Sequence, residues 1–285
     1  LLPSAAAAGD RYTITTIYGG KEAVTSEGGG NYYPIARENW YPNSVNGSLG
    51  EYTAYDMTFH IPKGMKMAAT GTLVSESNDG GQNVTTWKSE VPLTVAGFNF
   101  GRFKAEEAKL TNPSYLIQAY ANEEPPDEIK DVVARAGGII PTGGLIQGQI
   151  HPQVALGNMS TTPLLKKALA EAQISVGLYS DYFGPAPFKR LAVSQQTACN
   201  FGQSWPGLVW LPICYLWDTT IRQQLGIQFN DRGYWKSVAP HEVAHQWWGH
   251  TVGFNSYRDE WMSEGFADMS ASLYIQLIEK NPKKY

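Results

Sequence analysis

The chain has little cysteine, with only Cys199 and Cys214 among its 285 residues. This rules out a disulfide framework as the source of stability and leaves room for one bridge. Charge is also scarce. Charged side chains make up 17% of the sequence, below the usual quarter, and a net charge of −4 offers no basic face for nucleic acid. There is no run of about 18 apolar residues, so no segment reads as a membrane-spanning helix. The opening stretch LLPSAAAAGDRY has no basic n-region and no adequate apolar h-region. It reads as the interior of a longer protein rather than an intact signal peptide. The chain does have apolar and aromatic residues, 42% of the sequence being apolar with 9 Trp and 16 Tyr. That is enough to bury the core of one large domain or two smaller ones. Low charge and abundant Trp and Tyr lean towards the cell envelope or the outside of the cell.

The hydrophobic pattern changes character along the chain. A short β-like run is expected at Arg11 to Tyr18. Between Trp40 and Phe103 strands and turns alternate. Glu51 to Ile61 has the period-2 pattern of a half-buried strand, broken at Pro62-Lys63-Gly64. Strands are expected at Met67 to Glu76, Val84 to Lys88 and Val91 to Phe100, with a hairpin turn at Ser77 to Gln82. Pro92 suggests an edge position for the last of these strands. Tyr115 to Tyr120, Leu191 to Ser194 and Gly207 to Leu211 read as further strands. Helices are expected at Glu128 to Ala136, Leu164 to Phe183, Val238 to His250 and Trp261 to Ile278. Leu165, Ala168, Leu169, Ala172, Val176 and Tyr179 form the apolar stripe of the second helix. Gly137 to Ser160 is Gly-rich and reads as a long loop or insertion. These elements predict an α+β chain. An antiparallel β-rich N-terminal domain is expected over residues 1–118, with a second domain over 119–285.

The motif that carries chemistry is His241-Glu242-Val243-Ala244-His245. Residues four apart on a helix share a face, so both imidazoles can reach one metal ion. Neutral histidine nitrogens bind zinc at about 2.0–2.1 Å. Glu242 lies on the flank of that face, too far round to bind the metal but close enough to act on a water activated there. A catalytic zinc needs a third protein ligand and an open position. Glu264, 19 residues after His245 and opening a helix of its own, is the expected third ligand. Asp268, one turn further on, is placed to accept the second N–H of a ligating imidazole. His250 is the competing third ligand, but it follows His245 by five positions with no Gly-containing turn between them. It reads as a structural or rim residue. His60 and His151 read as structural or solvated.

The segment HEVAHQWWGHTVGFNSYRDEWMSEGFAD is similar to the M1 family of metallopeptidases, the gluzincin aminopeptidases, in which HExxHQWxG is followed by W-x-x-EGFA. Gln246, Trp247, Gly249, Gly265, Phe266 and Ala267 match that context. Tyr182 to Phe188 resembles the helix end and turn that precede the family's substrate strand. Phe59 to Gly64, Ala69-Thr70-Gly71 and Val95 to Phe103 resemble the last part of its N-terminal β domain. The resemblance covers most of residues 40 to 285. It implies part of the β domain followed by the first part of a thermolysin-like zinc metallopeptidase domain, with one Zn2+ per chain and a peptide substrate. The rest of the same polypeptide would complete the catalytic cleft and supply the tyrosine that stabilises the oxyanion.

The resemblance also places a substrate strand at Phe201 to Leu208, with Gly202, Gln203, Ser204 and Trp205 as its substrate-binding residues. At this place the family carries Gly-Ala-Met-Glu-Asn, whose Glu binds the free amine of the substrate. Here no Asp or Glu occurs from Leu191 to Trp217. Three readings therefore stand. The first is an aminopeptidase that takes its amine-binding acid from another segment. The second is an endopeptidase, which needs no such acid. The third is a zinc-containing binding domain with little catalytic power.

Overall fold

The computed structural model describes residues 6–26, 28–35, 40–42, 51–125, 127, 165–196, 201–217 and 234–278, together with the backbone of 139–140 and 154–155. The expected helix at Glu128 to Ala136 and most of the Gly137 to Ser160 loop lie outside these residues, as do His151 and Cys199.

The N-terminal part is built from antiparallel strands. One sheet has the order β1-β2-β7-β4, formed by Val24–Thr25, Asn31–Pro34, Phe98–Gly101 and Lys66–Ala69. A second has the order β3-β6-β5, formed by Asp56–Pro62, Gln82–Lys88 and Thr72–Asp79. Its β5–β6 hairpin turns at Gly80 and Gly81, both with positive φ. Two such residues in succession match the right-handed twist of the flanking strands. The single strand expected at Met67 to Glu76 is two strands, β4 and β5. Gly71 divides them, with φ +89° and a Cβ direction only 2.6 Å from the Lys88 carbonyl carbon. Of the expected Val91 to Phe100 strand only the end, from Phe98, lies in a sheet strand, β7 (Phe98–Gly101). Arg11 to Tyr18 forms no strand; its side chains are exposed, so no partner surface stabilises an extended ladder.

The central layer is a five-stranded sheet of order β13-β14-β12-β9-β8. Its strands are Gln203–Trp205, Leu208–Pro212, Arg190–Gln196, Ser114–Asn122 and Phe103–Thr111. β12 pairs parallel with both β9 and β14, whereas β13 and β8 run antiparallel at the edges. β8 went unrecognised in the sequence because FKAEEAKLT is mostly exposed and carries its charges to solvent. The boundary expected near residue 118 falls inside β9, which bonds to β8 on one side and β12 on the other. A two-stranded pairing of Ile139–Ile140 (β10) with Val154–Ala155 (β11) lies apart from these sheets.

Both faces of the central sheet are covered at β12 and β14, which explains the unbroken apolar run at Leu208–Pro212. Leu191, Val193, Val209, Leu211, Ile117 and Ala119 point to one core, shared with the helices. Their chain neighbours Ala192, Leu208, Trp210 and Tyr120 point to a second core with Tyr33 and Ala68 of the N-terminal sheets. This is the period-2 alternation of a strand. Among the described residues the α-helices of this region are α1 (Leu165–Phe183), α2 (Tyr234–Ala244) and α3 (Trp261–Ile278). The expected stripe of α1 is buried, and Tyr179 donates to the Pro240 carbonyl at 3.1 Å, tying α1 to α2.

Arg190 crosses the seam between the central sheet and the N-terminal strands. It is buried and donates to the carbonyls of Ala69 (2.9 Å) and Gly71 (3.4 Å) and to Gln118 (2.5 Å). Its guanidinium also stacks over Trp87 at 4.7 Å. A buried amide network lies nearby. Asn31 donates to the Gln195 carbonyl at 2.8 Å, Asn99 donates to Asn31 at 2.5 Å, and Ser194 donates to Asn99. Cys214 is disulfide-bonded.

Candidate metal centre

α2 ends earlier than its apolar pattern predicts. Regular helix stops at Ala244, not His250. Gln246 N and Trp247 N then bond to carbonyls three residues back, and Gly249 turns the chain at φ +112°. This leaves His245 just past the last turn, still bonded through its backbone N to the His241 carbonyl at 3.3 Å. The turn brings the Trp248 carbonyl to the imidazole of His245. α3 presents Glu264 from its first turn, where the helix dipole favours a carboxylate.

Three side-chain atoms from these two elements converge. His241 Nε2 and His245 Nε2 are 3.1 Å apart. Glu264 Oε2 lies 3.3 Å from the first and 3.6 Å from the second. Three donors around a tetrahedral ion at about 2.0–2.1 Å stand roughly 3.3–3.4 Å from one another, so this nitrogen and oxygen triangle fits one zinc ion. Among the described residues, His241, His245 and Glu264 form the cluster of metal-binding type, and His250 is not part of it.

The second nitrogen of each ring has an acceptor. His241 Nδ1 is 2.8 Å from Asp268 Oδ1, and His245 Nδ1 is 2.9 Å from the Trp248 carbonyl, with Ser263 Oγ at 3.2 Å. These partners assign the proton to Nδ1 and leave the Nε2 lone pairs facing the centre of the triangle. Burial lowers the proton affinity of both imidazoles, but pairing with Glu264 outweighs it and the net direction is up. The same hydrogen bonds from His241 and His245 hold the Glu264 carboxyl well below its ordinary range.

Glu242 points into the protein and is only 7% exposed. Burial pushes its carboxyl from 4.5 up to about 8, against the nearby positive charge of His245 and with the negative charge of Glu264. His250 is held down to about 3 by burial and by His245, against a bond to the Ser204 backbone. Its Nε2 has no hydrogen-bond partner among the described residues.

The segment Gly202, Gln203, Ser204 and Trp205 forms the edge of the central sheet, beside α2. Ser204 and Trp205 turn their side chains inward. The Trp205 indole lies so close to Gly97 that a Cβ there would be 2.6 Å from its Cγ. Gln246 joins this strand to the end of α2. Its Nε2 donates to Ser204 Oγ (2.8 Å) and the Trp205 carbonyl (3.0 Å), and its Oε1 accepts from Gly207 N (2.8 Å). The sequence signalled Gln246 only as part of a motif; its link to the edge strand, like the place of Ser263 and the Trp248 carbonyl beside His245, comes from the turn after Ala244.

Residues 221–284 match the model of the peptidase family M1 domain. A 120-residue stretch is 29% identical to "Probable aminopeptidase 2" of Sulfurisphaera tokodaii, covering 40% of this chain and 14% of that protein. The fold is similar to the crystal structure of an M1 zinc metallopeptidase from Deinococcus radiodurans. The TM-score is 0.53 at 20% identity, over 87% of this chain and 47% of that one. A mutant of the M1 zinc metallopeptidase from Deinococcus radiodurans, bound to a Tyr-Ser-Ala substrate, gives a TM-score of 0.55 at 18% identity, over 88% and 47% of the two chains. The chain thus spans about half the length of these structures and a smaller part of the curated relative. The segment that carries the His241, Glu242, His245 and Glu264 cluster is the one similar to the peptidase M1 family.

Proposed function

We propose that this chain carries the metal centre of a zinc-dependent peptidase of the aminopeptidase type, with His241, His245 and Glu264 as ligands and Glu242 as general base. The observation that carries this reading is the triangle of donor atoms at 3.1, 3.3 and 3.6 Å. Three protein ligands are the number that catalytic zinc sites use, whereas structural zinc sites are usually closed by four protein groups.

His241, His245 and Glu264 would hold the zinc ion, which would supply Lewis-acid polarisation of the scissile carbonyl and bring the pKa of water towards about 7. Glu242 takes the proton of the attacking water and later delivers it to the leaving amine. Asp268 and the Trp248 carbonyl keep the two imidazoles in the ligating tautomer. The edge strand Gln203–Trp205 lies beside the substrate backbone, so that the peptide adds next to it.

A second reading, an endopeptidase, is favoured by the absence of Asp and Glu from Leu191 to Trp217. A buried substrate ammonium would lack its charge-assisted partner on that strand. The test uses matched peptides with free and acetylated N-termini, with Glu242→Gln as the blank. Cleavage confined to the free amine supports the aminopeptidase, and cleavage of both peptides supports the endopeptidase. Glu242→Gln should keep its zinc and lose turnover, and Glu264→Ala should lose most of its zinc by elemental analysis. Wild-type turnover in the first variant, or full zinc occupancy in the second, would remove the corresponding role.

A further inference from the structure

We infer that Gly202 is a positioning residue for Glu242, and that the lack of a side chain at position 202 is what lets the carboxylate occupy its place beside the metal cluster. This rests on the reading of Glu242 as general base. A Cβ built on Gly202 would lie 2.6 Å from both Cγ and Cδ of Glu242, with Oε1 nearer still. Real Cβ atoms do not approach that closely, so one of the two residues has to move.

The backbone at 202 has little room to retreat. On one side Gln196 Nε2 donates to the Phe201 carbonyl. On the other Gln246 bonds to Ser204, to the Trp205 carbonyl and to Gly207 N. Beyond these, Trp205 is seated against Gly97. The glutamate is the freer partner, since it ends in a rotatable carboxylate. Gly202 has no positive φ to demand glycine, so a substitution meets an obstacle in space and not in backbone conformation. A methyl at 202 therefore moves the base, and leaves the His241, His245 and Glu264 triangle where it is. A displacement of about 1 Å at a reacting group can cost about 100-fold in rate.

The experiment compares zinc-loaded wild type, Gly202→Ala and Glu242→Gln. Gly202→Ala should keep its zinc, keep KM within about threefold and lower kcat by about 100-fold. A raised KM at unchanged kcat would mean that residue 202 acts only through substrate pairing, and would overturn the inference. Loss of zinc, or a wild-type kcat, would overturn it equally. If Gly202→Ala does not fold, the double variant Gly202→Ala/Glu242→Ala decides. It should melt at the temperature of Glu242→Ala alone, because the obstructing atoms are gone; failure to fold there as well would place the fault in the backbone and end the argument. Glu242→Gln keeps the two levels apart. If it turns over like wild type, the general-base reading has failed; if it is inactive and Gly202→Ala is not impaired, only the inference about Gly202 has.

Discussion

Replacing Glu242 by Gln should stabilise the metal-free protein, and the gain should depend on pH in a specific way. In the unfolded chain this carboxyl titrates near its ordinary 4.5, whereas in the folded protein burial raises it to about 8. Below about pH 4.5 both states are protonated and the glutamate costs nothing relative to glutamine. Between 4.5 and about 8 the folded state holds a proton that the unfolded state has released, so unfolding releases a proton and stability falls as pH rises. Above about 8 both states are ionised and the full cost of the buried charge is present. Each pH unit in the window is worth about 1.36 kcal/mol, so the plateau difference between variant and wild type is about 4–5 kcal/mol. Glutamine is nearly isosteric and cannot ionise, so the comparison reads the carboxyl together with its coupling to His245 and Glu264. The assay is equilibrium urea unfolding in the presence of a chelator at pH 5, 7 and 8.5. The variant should gain little at pH 5 and most at pH 8.5, and saturating zinc should narrow the gap because a dication beside the carboxylate favours its charged form. A gap that stays constant across pH, or a wild type that is the more stable protein at pH 8.5, would refute the argument.

Asp268→Ala removes the acceptor 2.8 Å from His241 Nδ1 and should weaken zinc binding by about 10–100-fold without abolishing it. Competition with a chelator measures this, and an unchanged affinity would deny Asp268 any part in the centre. Arg190→Leu strips the donors from the Ala69 and Gly71 carbonyls and from Gln118, and ends the stacking on Trp87. It should destabilise the protein by about 3 kcal/mol or more, which urea unfolding would register; a loss within about 0.5 kcal/mol, as for a surface change, would contradict the role given to this seam. Since Cys214 is disulfide-bonded, the denatured protein should show no reactive thiol until reductant is added and two afterwards, matching its cysteine content. Two thiols before reduction would show that the bond does not form.

The sequence by itself determined the parts that depend on local periodicity. Four-residue spacing put His241 and His245 on one helical face, and the apolar stripe of Leu165 to Tyr179 marked α1 almost to its ends, because a 3.6-residue period is written in the chain itself. The strands of the central sheet that are buried on both faces also showed, since Leu208–Pro212 must be apolar throughout. β8 did not, because an exposed, charged strand has no pattern of its own and is set by its bonds to β9. The end of α2 at Ala244 was equally hidden, since the turn there is stabilised by the packing and hydrogen bonds of Trp247, Trp248 and Gly249 and not by any break in hydropathy. Tertiary structure alone decided how α3 brings Glu264 within 3.3 and 3.6 Å of the two imidazoles. It also decided which acceptor each second ring nitrogen finds, and how closely Gly202 approaches Glu242. These are relations between elements far apart in the chain. They are set by how whole faces pack, which no window of the sequence contains.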